Sequence, residues 1–166
     1  RPGRPLAEPL QREQAILHFK RAIQLDPANA MGHLNLGALY GERGEYEQAI
    51  HLFKKTVELA PDSVEGRMSL GLALYNSGRY GEALAEFEAV LVLRPPFGDA
   101  RFHAALCHSR LGAHRKALAE LDYVLTDAMT FPGIPDAQMR QDVIAYLKAV
   151  SQGKATVPPP RLPDLK

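Results

Sequence analysis

The sequence predicts an all-α protein built as a row of helix hairpins. Three observations carry that prediction: residues that recur every 34 positions, apolar spacings of three and four between them, and a proline that closes each unit. Leu36-Gly37, Gly44-x-Tyr46, Ala49, Phe53 and Pro61 return as Leu70-Gly71, Gly78-x-Tyr80, Ala83, Phe87 and Pro95. A further step gives Ala104-Ala105, Gly112-x-His114, Ala117 and Leu121, and a step backwards gives Ala15, Phe19, Ala22 and Pro27. The period therefore runs over about residues 11–126.

Taken in order, residues 1–10 carry Pro2, Pro5 and Pro9 and read as an irregular end. A lone helix over 11–26 matches only the second half of a unit. Repeats bury their apolar faces against neighbours, so this helix implies an upstream repeat, a partner or a domain-swapped neighbour, unless it simply caps the stack. Three full hairpins follow, over 30–61, 64–95 and 98–126. Gly37, Gly71 and Ala105, with Ala49, Ala83 and Ala117, suit helices that cross closely, and Phe19, Phe53, Phe87 and Leu121 are the knobs that fill the space between them. Pro27, Pro61 and Pro95 end the second helix of each unit, because the residue before a proline is pushed out of the helical region. After Val124 the pattern stops, and Met129 stands where a fourth repeat-ending proline is expected. Residues 127–150 read as a loop and an amphipathic helix over 137–150, with Met139, Val143, Tyr146, Leu147 and Val150 on one stripe. The tail, 151–166, holds Pro158, Pro159, Pro160 and Pro163 and favours extended polyproline conformation.

This pattern of Leu-Gly, Tyr, Ala, Phe and Pro resembles the tetratricopeptide repeat over about two thirds of the chain. The resemblance implies a right-handed superhelix of three full repeats with an N-terminal half repeat and a C-terminal helix. It also implies that the first helix of each hairpin lines a concave groove. The groove residues here are then Met31, Leu34 and Ala38, Met68, Leu72 and Tyr75, and Phe102 and Leu106. Family members that clamp a peptide carboxylate present Lys and Asn from these helices, whereas the matching positions here hold Leu34 and Ala38. Such an apolar groove suits an amphipathic helix of a protein or peptide partner, unless these side chains belong partly to the core.

The run Met129-Thr-Phe131-Pro-Gly133, followed by Arg140-Gln-Asp142-Val-Ile144-Ala-Tyr146-Leu147-Lys148, resembles the axial-methionine loop and last helix of class I c-type cytochromes. Haem attachment in that family needs Cys-x-x-Cys-His, where this chain has Ala104-Ala105-Leu106-Cys107-His108. No cofactor is expected on that ground. The alternative reading is an electron-transfer accessory in which Met129 ligates a haem held mainly by another chain. The leading reading is a non-catalytic interaction module, a chaperone or assembly factor linked to c-type cytochromes, whose exported setting the second resemblance favours over a cytoplasmic one. The 137–150 stripe needs a surface to cover it, and docking on the repeats is expected, in the concave groove in preference to the end of the array, with Tyr146 and Leu147 as anchors beside Met139 and Val143, unless the helix simply caps the final repeat.

Composition removes several other classes. The 166 residues carry a formal net charge of +1, so no basic footprint for nucleic acid is present. No apolar run approaches the roughly 18 residues of a membrane span. One cysteine forms no internal disulfide, and His103 with Cys107 offers two metal ligands where structural zinc takes four, so no metal is expected. No nucleophile, base and orienting group occur together, so no enzyme is expected either.

Overall fold

Period and proline become hairpins in the computed structural model, which describes residues 8–126 together with Ala145 and Ala149, both helical. Seven helices fill the continuous part: α1 (Glu8–Leu25), α2 (Ala30–Glu42), α3 (Tyr46–Leu59), α4 (Val64–Asn76), α5 (Tyr80–Leu93), α6 (Gly98–Arg110) and α7 (His114–Thr126). No strand occurs among the described residues. The first helix starts at Glu8 rather than at residue 11, so residues 8–10 of the expected irregular end form its first turn. Pro9 is no obstacle there, because a first-turn N–H has no intrahelical acceptor to lose. The cytochrome-like loop, the tail and Met129 lie outside the described residues.

Within each hairpin the same turn is made three times. Gly44, Gly78 and Gly112 have φ of 74°, 82° and 78°, the left-handed conformation that glycine adopts without a Cβ clash. The next residue then donates back to a carbonyl five positions earlier: Glu45 to Tyr40 at 2.9 Å, Arg79 to Leu74 at 2.8 Å and Ala113 to His108 at 2.8 Å. These bonds satisfy carbonyls that the ending helix would leave open.

Between hairpins the chain is extended before the proline, with φ of −138° at Ala60 and −140° at Arg94. A side chain six residues past each proline bonds its carbonyl oxygen. His33 Nε2 donates to Pro27 at 3.0 Å, Arg67 Nε to Pro61 at 2.9 Å and Arg101 Nη2 to Pro95 at 3.4 Å. Each junction thus carries a donor at the same register, imidazole once and guanidinium twice.

The chain divides within α4 into two units, Arg1–Ala73 and Leu74–Lys166. In the first unit α2 packs against α1 and α3. Ile16, Leu34, Leu36, Ala49, Ile50 and Phe53 are its core. A Cβ added at Gly37 would stand 2.6 Å from the Phe53 ring, so the glycine makes the room the knob fills. Helix α2 is capped by Asn29, whose side chain accepts from Gly32 N at 2.8 Å, and α4 by Ser63, which accepts from Gly66 N at 3.0 Å. In α1, Ala15 and Phe19 are only half-buried, although the matching Ala49 and Phe53 are buried, and Leu17 and Leu25 are 67% and 74% exposed.

In the second unit α6 packs between α5 and α7. Leu74, Ala83, Phe87, Val90, Ala105, Ala117 and Leu121 are buried there. Arg101 reaches across to Glu120 at 2.8 Å and lays its guanidinium 3.9 Å from the Tyr123 ring centroid. Phe97 occupies the capping register of Asn29 and Ser63, and so α6 begins with no side-chain cap.

Candidate functional site

The residues singled out as a groove fall into three exposure classes. In the first unit Met31 is 57% exposed and Ala38 is exposed, Met68 and Leu72 are half-buried, and Leu34 is buried. In the second unit Tyr75 is half-buried, while Phe102 and Leu106 are buried. Their register follows from the helix period, since Met31, Leu34 and Ala38 at spacings of three and four share one stripe of α2.

Tyr75 is held from two sides. Its hydroxyl accepts from Arg110 Nε at 3.2 Å, and its ring meets that of Tyr80 edge-on at 5.2 Å. Burial raises its phenol above the usual range, with the Arg110 hydrogen bond acting the other way.

Helix α6 places two chemically distinctive groups one turn apart, but not as a ligand pair. His103 Nδ1 donates to the Asp99 carbonyl at 2.7 Å, which fixes the tautomer and leaves the lone pair on Nε2. The ring lies 5.3 Å from Phe87 and 5.5 Å from Phe102 between centroids. Burial holds its imidazole below the usual 6.5, against the smaller opposing effect of the Asp99 carbonyl. Cys107 is fully buried, and desolvation pushes its thiol from 9.0 up to about 12. A thiol that stays protonated in a helix interior is a poor nucleophile, so it does not fit the single thioether that a haem would need. Among the described residues no three His, Cys, Asp or Glu side chains converge on one point, and no helix is long and apolar enough to cross a membrane.

Two features escaped the reading of the sequence. The proline-carbonyl donors His33, Arg67 and Arg101 stand 34 residues apart, so aligning the units would have shown them, although His for Arg disguises the series. The lone pair on His103 had no such signal, because its partner is a main-chain oxygen.

Hairpins that repeat the same turn, the same knob and the same junction define a helical repeat solenoid. A family model described as a tetratricopeptide repeat matches residues 34–96 and again 68–130, and another, described as a TPR repeat, matches 11–42. The chain belongs to the tetratricopeptide repeat family. A comparison with curated proteins finds no match. Among solved structures, a crystal structure of MamA is similar at 25% identity and a TM-score of 0.74, over 86% of this chain and 80% of that one. A second MamA, from MSR-1, is 29% identical at a TM-score of 0.66, over 73% and 70%. MamA from residue 41 to the end, from Desulfovibrio magneticus RS-1, aligns at a TM-score of 0.76 over 86% and 77%, and at 17% identity shows the fold alone. None of these comparisons extends support to the cytochrome-like reading of residues 129–148.

Proposed function

We propose that this chain is a non-catalytic protein-interaction module that holds an amphipathic helix of a partner protein on the first-helix faces of its repeats. The observation that supports this most is Met31. A flexible thioether side chain, more than half exposed at a concave-face register, sits on the same helix stripe as Leu34 and Ala38, and Met68 and Leu72 follow in the next repeat. Methionine reshapes around varied apolar partners, and helices dock by residues at i, i+3, i+4 and i+7. Leu34 and Ala38 leave no cation at the register where a carboxylate clamp needs one. The likeness of 129–148 to the end of a c-type cytochrome supports a narrower partner, a helix of that kind, and with it an assembly role.

The test uses the full chain labelled at its four methionine methyls. A synthetic helical peptide with leucines at i, i+3 and i+7 is titrated in, with a scrambled peptide of equal composition as control. Saturable shifts of Met31 and Met68, lost in Leu72→Glu, are expected. Equal shifts with the scrambled peptide, or none at all, sink the reading.

A further inference from the structure

In the first unit each first helix carries one stripe along its open side. On α2 the stripe is Met31, Ala38 and Glu42, at spacings of seven and four, and all three are exposed. On α4 Glu65 stands at the register of Met31 and is exposed, and Met68 and Leu72 follow it, half-buried. Thr56 of α3, itself buried, ties the two stripes together at their N-terminal ends. Its hydroxyl oxygen lies 3.5 Å from the Ala30 carbonyl oxygen, and a Cβ added at Gly66 would stand 3.0 Å from its methyl. Glu65 therefore sits at the Met31 end of the face. Glu42 closes the other end, eleven residues along α2 from Met31 and roughly 17 Å away at 1.5 Å per residue. The face is apolar in its middle and acidic at both ends.

Neither stripe holds a cation, and the basic groups around them are engaged elsewhere. Arg43 is gripped by Glu13 at 2.7 Å and Glu45 at 2.6 Å, Arg67 Nε donates to the Pro61 carbonyl at 2.9 Å, and Lys20 lies 5.7 Å from the centre of the Tyr40 ring. Arg12 does reach Glu42, but at 3.9 Å and with both side chains more than half exposed, a contact that water largely screens. The Glu65 carboxylate makes no ion pair among the described residues. With a net charge of +1, the whole chain has no general attraction for cations, so the acidic sign is local to this face.

We infer that the partner of the first unit's face is a basic amphipathic helix, with apolar anchors in its middle turns and a Lys or Arg at each end to pair with Glu42 and Glu65. This rests on the reading that first-helix faces hold a partner helix, and it names the chemistry of that helix. An acidic helix would set like charges against both carboxylates, and a neutral one would take water from them without giving a partner in return. The length agrees as well. Eleven residues make almost three whole turns, so two cations that far apart emerge on the same side of the partner as the apolar residues between them. The second unit does not share this sign, since the registers of Glu65 and Glu42 hold Asp99 and Arg110 there.

The experiment titrates three helical peptides into the full chain, each with leucines at i+3, i+4 and i+7 and differing only at i and i+11, which are both Lys, both Gln or both Glu. Shifts of the Met31 and Met68 methyls read the binding. At low salt the Lys peptide should bind about ten-fold more tightly than the Glu peptide, with the Gln peptide between, because two exposed pairs change sign. The gap should close at roughly 1 M salt, where the screening length falls to about 3 Å. Glu42→Gln combined with Glu65→Gln should abolish the preference, whereas Glu58→Gln on α3 should leave it, and circular dichroism checks that the variants keep their helices. The inference is overturned if the Gln or Glu peptide binds as tightly as the Lys peptide, or if the preference survives the double variant or high salt. In those cases saturable binding still upholds the reading of the face as a helix-docking surface. If none of the three peptides binds, that reading falls and the inference falls with it.

Discussion

Gly37 and Phe53 show how one missing methyl sets a helix crossing. With the Phe53 ring 2.6 Å from where a Cβ would stand, and that ring itself buried, Gly37→Ala should overpack the α2–α3 contact and cost about 1–3 kcal/mol. The third hairpin suggests the remedy. There Ala105 replaces the glycine and Leu121 replaces the phenylalanine, both buried. Adding Phe53→Leu to Gly37→Ala should therefore recover part of the loss, so thermal melts of the two single variants and the pair should be non-additive. Strict additivity would show that the two side chains do not share the space. Small residues and knobs were legible because steric demand recurs with the fold. Phe97 was not, since a broken cap leaves no periodic trace; its neighbours in the series are polar for a local reason, an N–H two or three residues on.

That missing cap weakens one element in a measurable way. Asn29 and Ser63 each accept from a first-turn amide, and α6 begins without such an acceptor. Phe97→Asn should stabilise the chain by about 1 kcal/mol, seen as a higher melting temperature. A loss instead would mean that the Phe97 ring contributes more through packing than the cap restores. Helix α6 also contributes a pH dependence through two buried groups. The His103 imidazole takes a proton more readily in the unfolded chain, near 6.5, than in the fold, where its pKa is lowered. The unfolded state thus binds more protons in the window below 6.5, and stability falls as pH drops through it. His103→Gln should flatten that limb in denaturant melts. Cys107 acts in the opposite direction. Its thiol ionises at about 9.0 when unfolded and about 12 when folded, so its contribution is complete below 9.0 and declines as pH rises above it. Melts on either side of 9.0 should differ less in Cys107→Ala than in the parent chain. The spacing of His103 and Cys107 showed that they share a helix face, but the ring's turn toward Asp99 depends on a main-chain carbonyl that no sequence pattern marks.

Across the whole chain the solenoid was readable because repetition multiplies weak signals: a lone Gly or Pro says little, but Gly44, Gly78 and Gly112 with Pro27, Pro61 and Pro95 name the same turn and the same junction three times. Exposure was harder to foresee. Register places Met31, Leu34 and Ala38 on one stripe, yet only neighbouring elements decide that Leu34 is buried while Met31 is open. Removing residues 62–95 should leave a shorter array that still folds, because Pro61 then stands before Pro96 with Arg101 six residues beyond it, as Pro95 does now. Circular dichroism should keep its helical signature at a lower melting temperature, whereas removing half that length, 62–78, should abolish the cooperative melt. Loss of cooperative melting in the first deletion would show that the units are not equivalent. The thrice-made glycine turn also has a genetic meaning. An insertion or deletion of thirty-four residues joins one turn's surroundings to those of the next, so the array can grow or shrink by a whole unit without a new boundary having to be made.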